Sequence, residues 1–552
     1  MWVVVVISRV SPSRSARAVG SIVLGLGAIG IVAGYWTEPV AASNVAAGLG
    51  DDRTLTVPTW LTLLTGGAAV GASALLAALV TDRRFVDTVH EWGVPLAAIA
   101  ESNPTESSPG KSSPAESSPV GSTGLSRRTV AAGSLIGGGL GVLGLAAVIV
   151  VGLEGPTMPT ANLAVIIAFV GVRAVLPMVA FLVVDPWPTI DPFRTLARGV
   201  DKLVTRVREL VTRVRERVRR RPSNPSTNET NRTDGTNETN ENDSSAVDSA
   251  LLEYPTWLSS WPAVLGLGAL VWLELVLPIT TDTELLAFTA VGYAGYTVTG
   301  AVLFSPTVWF RRADPLAVLF RLYGAVAPIQ RRDGTVRLVV PGARLRDADV
   351  VTDSSDVAFV VLLVWELTFN GFVVTRPGRR VVEALVATGL PARVVYLALL
   401  VGGFAVALAV YWLAAHLSRR TAPTYLSERV LARRFAPPLL AIAAGYHLAH
   451  YVTFVVSLAP ASLAALSSPF APPVNPTTLV VPGWMGTLEI ATLLAGHVLA
   501  IWTAHAIAFD CVPGRLQAIR SQYPFVVVMV CYTALSLWLL TLPTMEPVYV
   551  AG

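Results

Sequence analysis

Cysteine is almost absent. Cys511 and Cys531 are the only two in 552 residues. Two lone thiols at or in late apolar segments argue against a disulfide framework and against a thiolate metal site. Charge is scarce as well: 14% of the residues are charged, where a soluble chain carries about a quarter. Lysine is nearly missing, with Lys111 and Lys202 standing alone beside abundant arginine. That bias and the Asp, Thr and Val usage have a halophilic look, without bearing on mechanism. No P-loop, nucleophile elbow or kinase signature is present. The glycine runs 25–30 and 137–144 lie inside apolar segments, where they permit close helix packing, and neither follows a strand as a nucleotide fingerprint would. Residues 2–7 are apolar but too short for a signal core, so no cleavable leader is expected.

What is present is hydrophobic. Apolar residues make up 53% of the chain. They gather into windows of roughly 18 to 26 residues, enough to cross a hydrocarbon core of about 30 Å. The expected fold is all-α, a polytopic transmembrane helix bundle. Eleven spans are predicted, near 19–36, 60–80, 130–152, 162–184, 257–278, 285–309, 356–375, 392–416, 436–459, 484–509 and 524–543. They divide the chain into an N-terminal membrane part (1–184), a linker region (185–250) and a C-terminal membrane part (251–552). Arg9, Arg14 and Arg17 precede the first span, which puts the N-terminus in the cytoplasm of a multi-pass cell-membrane protein. The loop carrying Arg376, Arg379, Arg380 and Arg393 breaks the rule by falling outside. Either one span is miscounted or the amphipathic stretch 313–329 re-enters the membrane.

Two inner linkers are predicted to be disordered. Residues 101–124 carry a five-residue Ser/Pro repeat (ESNPT, ESSPG, KSSPA, ESSPV) that cannot bury a core. Residues 221–245 are rich in Asn and Thr, with acceptor sequons at Asn228, Asn231, Asn237 and Asn242; on an inner loop these stay unmodified. Between them the heptad LVTRVRE occurs twice, at 203–209 and 210–216. Leu203, Val207, Leu210, Val214 and Val218 form one stripe among arginines. That pattern suits a helix lying on an anionic lipid leaflet, with a short coiled coil or a solvated connector as rivals. Membrane lipids are the expected partners, and a second membrane subunit has room to bind. Nucleic acid is not expected, because no aromatic residues interleave the arginines.

The chemistry is expected where ionisable residues enter apolar segments, since such residues are expensive in hydrocarbon. His447, His450, His497 and His505 lie in the ninth and tenth spans. Imidazole is the commonest protein ligand for transition metals and a frequent one for haem iron. At 1.5 Å per helical residue, His447, His450, His497 and Glu366 share one depth, while His505 sits roughly 12 Å nearer the inner surface. Arg173 is the one obvious intramembrane cation. Three readings compete. The histidines bind a divalent metal, zinc or another transition metal, with Glu366 as fourth ligand or general base. One histidine from each span ligates a haem b. Or the histidines with Glu366, Glu489 and Glu274 form a proton or ion path in a transporter. Polar glue between helices is the plain alternative. His90 and His416 are expected at the membrane interface.

Several separated stretches resemble the integral membrane proteins named fenitrothion hydrolase. They include VPTWLTLL (57–64), NLAVIIAF (162–169), PWPTIDPFRTLAR (186–198) and YPTWLSSWPAVLGLGALVWLELV (254–276). Others are VWFRRADPLAVLFRLYGAVAPIQRRDG (308–334), TFNGF (368–372), AGHVLAIWTAH (495–505) and SQYPFVVVMVCYTALSLWLL (521–540). Their order is kept, and they cover most spans but neither linker. The resemblance implies hydrolysis of an ester or organophosphate bond, and within its pattern fall His450, His497, His505, Trp272, Glu274 and residues 191–193. The chain departs at Asn370, where the family has aspartate, and at Ala506, while His447 is an addition. The leading expectation is a metal-assisted hydrolase with His450 and His497 as primary ligands, His447 or His505 as the third, and Glu366 as base.

Overall fold

The structure, a computed structural model, describes residues 59–96, 123–219, 250–332 and 335–549. The first predicted span (19–36), the Ser/Pro repeat and the Asn/Thr-rich linker with its sequons lie outside the described residues.

Long apolar windows without charges become helices because only a helix satisfies every backbone N–H and C=O within one segment. Among the described residues nine helices are long and apolar enough to cross a membrane. The chain folds as α1 (Thr59–Leu79), α2 (Arg83–Glu91), β1 (Gly93–Pro95), α3 (Thr123–Glu154) and α4 (Leu163–Leu182). It continues through α5 (Pro192–Arg219), α6 (Trp261–Val276), α7 (Thr283–Phe304), α8 (Pro306–Arg312) and α9 (Pro315–Gly324). Then come β2 (Ile329–Arg332), β3 (Thr335–Val339), α10 (Ser354–Val373), α11 (Arg376–Val386) and α12 (Ala392–Thr421). The last are α13 (Glu428–Phe435), α14 (Pro438–Ser467), α15 (Met485–Cys511) and α16 (Arg515–Thr541). Ten of the predicted spans coincide with a helix, the shortest being α6 with 16 residues. This is an all-α, multi-pass membrane bundle. A buried core runs through it from Val70 on α1 to Leu537 on α16 and joins its N- and C-terminal parts.

Side-chain contacts sort the helix ends into two faces. On one, Arg83 donates to the Val512 carbonyl at 2.8 Å, and Arg346 bridges Asp87 and Asp510 at 2.6 and 2.5 Å. Ser260 meets Asp356 there, and Thr421 meets the Arg520 carbonyl. On the other, Trp272 donates to the Arg393 carbonyl, Thr375 pairs with Thr544, and Tyr396 donates to the Val548 carbonyl. Successive long helices alternate between the faces. The loop of Arg376, Arg379, Arg380 and Arg393 therefore sits opposite Arg83, Arg346 and Arg434. Its charge is partly met on α11 itself, where Arg379 pairs with Glu383 at 2.8 Å. Between α7 and α10 the chain re-enters the bundle without a change of face. Helix α9 dips into the bundle, burying Val318, Phe320, Leu322 and Tyr323, and the chain returns to the face it left. There Ile329 N–H bonds the Val183 carbonyl and Gly342 N–H bonds the Val326 carbonyl.

A small sheet on that face was not predicted. Its order is β1-β3-β2, all antiparallel, with Gly93 opposite Val339 and Ile329 opposite Leu338. The dipeptide Asp333-Gly334 between two short runs is a hairpin signature. Helix α5 does form over the heptad duplication, and Leu203, Val207, Leu210 and Val214 are all exposed along it.

Candidate functional site

Arg173 stands at the centre of the bundle. Residues Ile166–Val175 of α4 are wound as a π-helix, a form that adds a residue to the turn and often marks functional sites. Pro177 lies two residues beyond it and lacks the N–H that a regular α-helix would place there. The guanidinium donates from Nε to Glu274 Oε2 at 3.2 Å, from Nη1 to Glu366 Oε1 at 3.3 Å and from Nη2 to Glu366 Oε2 at 2.7 Å. It also lies over the Tyr451 ring, 5.3 Å from the centroid, a favourable cation–π position. Asn370, one turn along α10 from Glu366, donates its amide to Glu366 Oε2 at 3.1 Å. Four helices thus converge on one ion cluster. Glu366 is sealed at 0% exposure, whereas Arg173 and Glu274 keep 17% and 19%. The difference arises because Arg173 and Glu274 line a cavity.

That cavity, of about 420 Å³, lies between α3, α4, α6, α7 and α9. Its wall is mostly apolar, with Arg173, Glu274, Thr289, Tyr293, Tyr323, Trp187 and His447 as the polar members. Three of these carry a buried polar atom without a hydrogen-bond partner: Trp187 Nε1, Tyr323 Oη and His447 Nδ1. Buried polar groups are nearly always satisfied, so three orphans around one cavity suit a polar occupant. His447 Nε2 lies 3.2 Å from the Ala174 carbonyl. In the neutral ring that contact puts the proton on Nε2 and leaves Nδ1 a lone pair.

The predicted site residues are not gathered as expected. His447 packs among Phe181, Tyr323 and Tyr451. His450 lies edge-on to Tyr451. His497 holds Nδ1 2.9 Å from the Leu493 carbonyl, lies beside Tyr532 and leaves Nε2 without a partner. His505 is bound at both nitrogens, Nδ1 to Gln522 at 3.3 Å and Nε2 to the Val80 carbonyl at 2.8 Å. Among the described residues no three His, Cys, Asp or Glu side chains stand close enough to share one ion. Both oxygens of Glu366 are taken. At this depth α14 and α15 touch backbone to backbone. A Cβ on Gly445 would stand 2.9 Å from the Gly496 Cα, and one on Gly496 would stand 2.5 Å from the Ala441 carbonyl oxygen. Glu489 accepts a short hydrogen bond from Thr453.

Of the two interfacial histidines, His90 is buried against Trp502, with Nδ1 3.1 Å from the Val86 carbonyl. Burial holds its pKa below the ordinary histidine value. His416 Nδ1 meets Glu428 at 2.8 Å on the arginine-rich face. In the sequence Glu274 and Glu366 were grouped with the histidines in an ion path, Arg173 stood apart from them, and Trp187 and Tyr323 were not singled out. Opposite charges in different spans were the available signal.

No family model, no curated protein and no solved structure matches this chain. What the fold defines is a class, a multi-pass helical membrane protein with a charged cluster opening onto an internal cavity.

Proposed function

We propose that the protein is an ion-coupled permease of the cell membrane, with Arg173, Glu274 and Glu366 as its coupling cluster. The observation that carries this reading is the charge balance: two carboxylates share one guanidinium beside a cavity of about 420 Å³. With both carboxylates ionised, the cluster holds one surplus negative charge in a region that tolerates none cheaply. A proton or a small cation neutralises it, and Glu274, facing the cavity, is where that ion arrives. The largely apolar wall with a few unpartnered polar groups suits an amphipathic substrate, and the volume is typical of small-molecule sites. The arginine-rich face is assigned to the cytoplasm and the Pro460–Gly483 stretch to the outside. The test is reconstitution into proteoliposomes loaded with a pH-sensitive dye, challenged with a panel of fatty acids, aromatic amphiphiles and phosphoesters. Wild-type protein is expected to move protons or sodium with at least one of them, and Glu274→Gln to uncouple that movement. Flux that survives unchanged in Glu274→Gln would overturn the assignment.

A second reading is the metal-assisted hydrolase that the family resemblance implies. One observation favours it: a backbone carbonyl fixes Nδ1 of His497 and leaves Nε2 with its lone pair unused, the orientation typical of metal-ligating histidines. Elemental analysis of the purified protein decides between the readings. About one metal per chain, lost in a His450→Ala/His497→Ala double variant, would favour the hydrolase.

A further inference from the structure

We propose that a second pocket, on the arginine-rich face, binds a phosphoryl group. It has a volume of about 460 Å³ and is bounded by the segment after α4, the start of α5, α8, α9 and β2. Arg194, Arg198, Arg311, Arg321, Arg331 and Arg344 line it, and Asp185 is its one carboxylate. Six guanidinium groups around one concavity repel one another and raise the local concentration of anions. The chain's own acids answer only part of this charge. Arg194 meets Asp191 at 3.4 Å, Arg321 meets Asp356 at 3.8 Å and Arg344 meets Asp349 at 3.7 Å. Arg198, Arg311 and Arg331 are exposed at the rim and form no ion pair with a described residue.

One buried donor also lacks a partner here, Nε of Arg321. The pocket is held open by its walls. Arg194 is stacked over Phe310, 4.9 Å from the ring centroid, and a Cβ on Gly324 would stand 2.6 Å from the Asp185 Cβ. A phosphoryl group matches this set better than a carboxylate does. It offers three acceptor oxygens and up to two charges, and the guanidinium fork binds such oxygens in pairs. The group can come from a phospholipid of the adjoining leaflet or from a soluble phosphate compound. The recognition chemistry is the same.

The test uses the full-length protein in nanodiscs of neutral lipid. Calorimetric titrations with dihexanoyl phosphatidic acid and with inorganic phosphate are run at matched ionic strength. Wild-type protein is expected to bind at least one of them. Because Arg198 and Arg311 are exposed, Arg198→Glu/Arg311→Glu is expected to fold normally and to weaken binding by about tenfold or more. Binding of the lipid alone identifies a head-group site, and binding of both identifies a soluble phosphoryl ligand; either supports the proposal. No binding of either probe, or equal affinity in the folded variant, overturns it. Glu274→Gln lies in the other cavity and should leave these titrations unchanged, so this site and the permease reading stand or fall separately.

Discussion

Two groups of arginine are built on opposite principles. Arg173, within the membrane bundle, has every nitrogen bound to a carboxylate and an aromatic ring beneath it. The arginines of the outer pocket are partly unanswered, and three at its rim have no described acid. The difference follows from solvent. In hydrocarbon an unpaired guanidinium is not tolerated, so its neighbours were selected with it. At a wet face the deficit persists cheaply and remains available to a ligand. Trp187, stacked on Phe320 at 4.4 Å, forms part of the wall of both cavities. The molecule therefore keeps a saturated charge cluster and an unsaturated one on either side of a single aromatic partition.

The strongest way to break this contrast is to remove Arg173. Arg173→Met leaves Glu274 and Glu366 buried without a counter-ion, and losing one partner of a buried pair costs about 3–5 kcal/mol. The expected outcome is a large fall in the unfolding midpoint in detergent. Glu274→Gln, which removes the surplus charge, should leave the midpoint level or raise it. Equal destabilisation by both would show that packing, not charge, holds the cluster. A smaller effect is expected from Asn370→Asp. Its amide now donates to Glu366; an aspartate would set a third carboxylate against one guanidinium at a cost of about 1–3 kcal/mol. The change also reads whether this chain's cluster is tuned by one amide. Recovery of the midpoint at lower pH would confirm that the lost term is charge repulsion.

Much of the fold was legible because hydrocarbon permits few solutions. Ten predicted spans are helices, and the Arg376–Arg393 loop lies on the face that simple alternation assigns it. The site was legible only in its parts. Depth along a helix can be counted from sequence, and that count set Glu366 level with His447, His450 and His497. Facing direction cannot be counted through a π-helix, whose extra residue per turn rotates Arg173 relative to any regular wheel. Glu366 was therefore matched to imidazoles at its own depth instead of the guanidinium that binds it. Gly445 and Gly496 bring α14 and α15 into backbone contact, yet His447 and His497 keep separate aromatic surroundings. The β2–β3 pair escaped because each strand is only a few residues long.

The smallest effect tests the outer pocket through its single acid. Burial pushes the Asp185 carboxyl up to about 6, opposed by a hydrogen bond from the Trp187 amide and by Arg194. The folded chain then holds this proton more tightly than the unfolded chain, whose carboxyl keeps the ordinary value near 3.8. The sign follows from linkage. Stability contributed by the protonated group is present below about pH 4 and is lost as pH rises to about 6. The loss is on the order of 1–2 kcal/mol, given partial exposure of the side chain. Asp185→Asn keeps the acceptor for the Trp187 amide and removes the titration. Midpoints measured from pH 4 to pH 7 should therefore fall more in the wild-type protein than in the variant, with the variant the more stable of the two at neutral pH. If the two curves stay parallel, Asp185 is well solvated, and the pocket is wetter and more open than its walls imply.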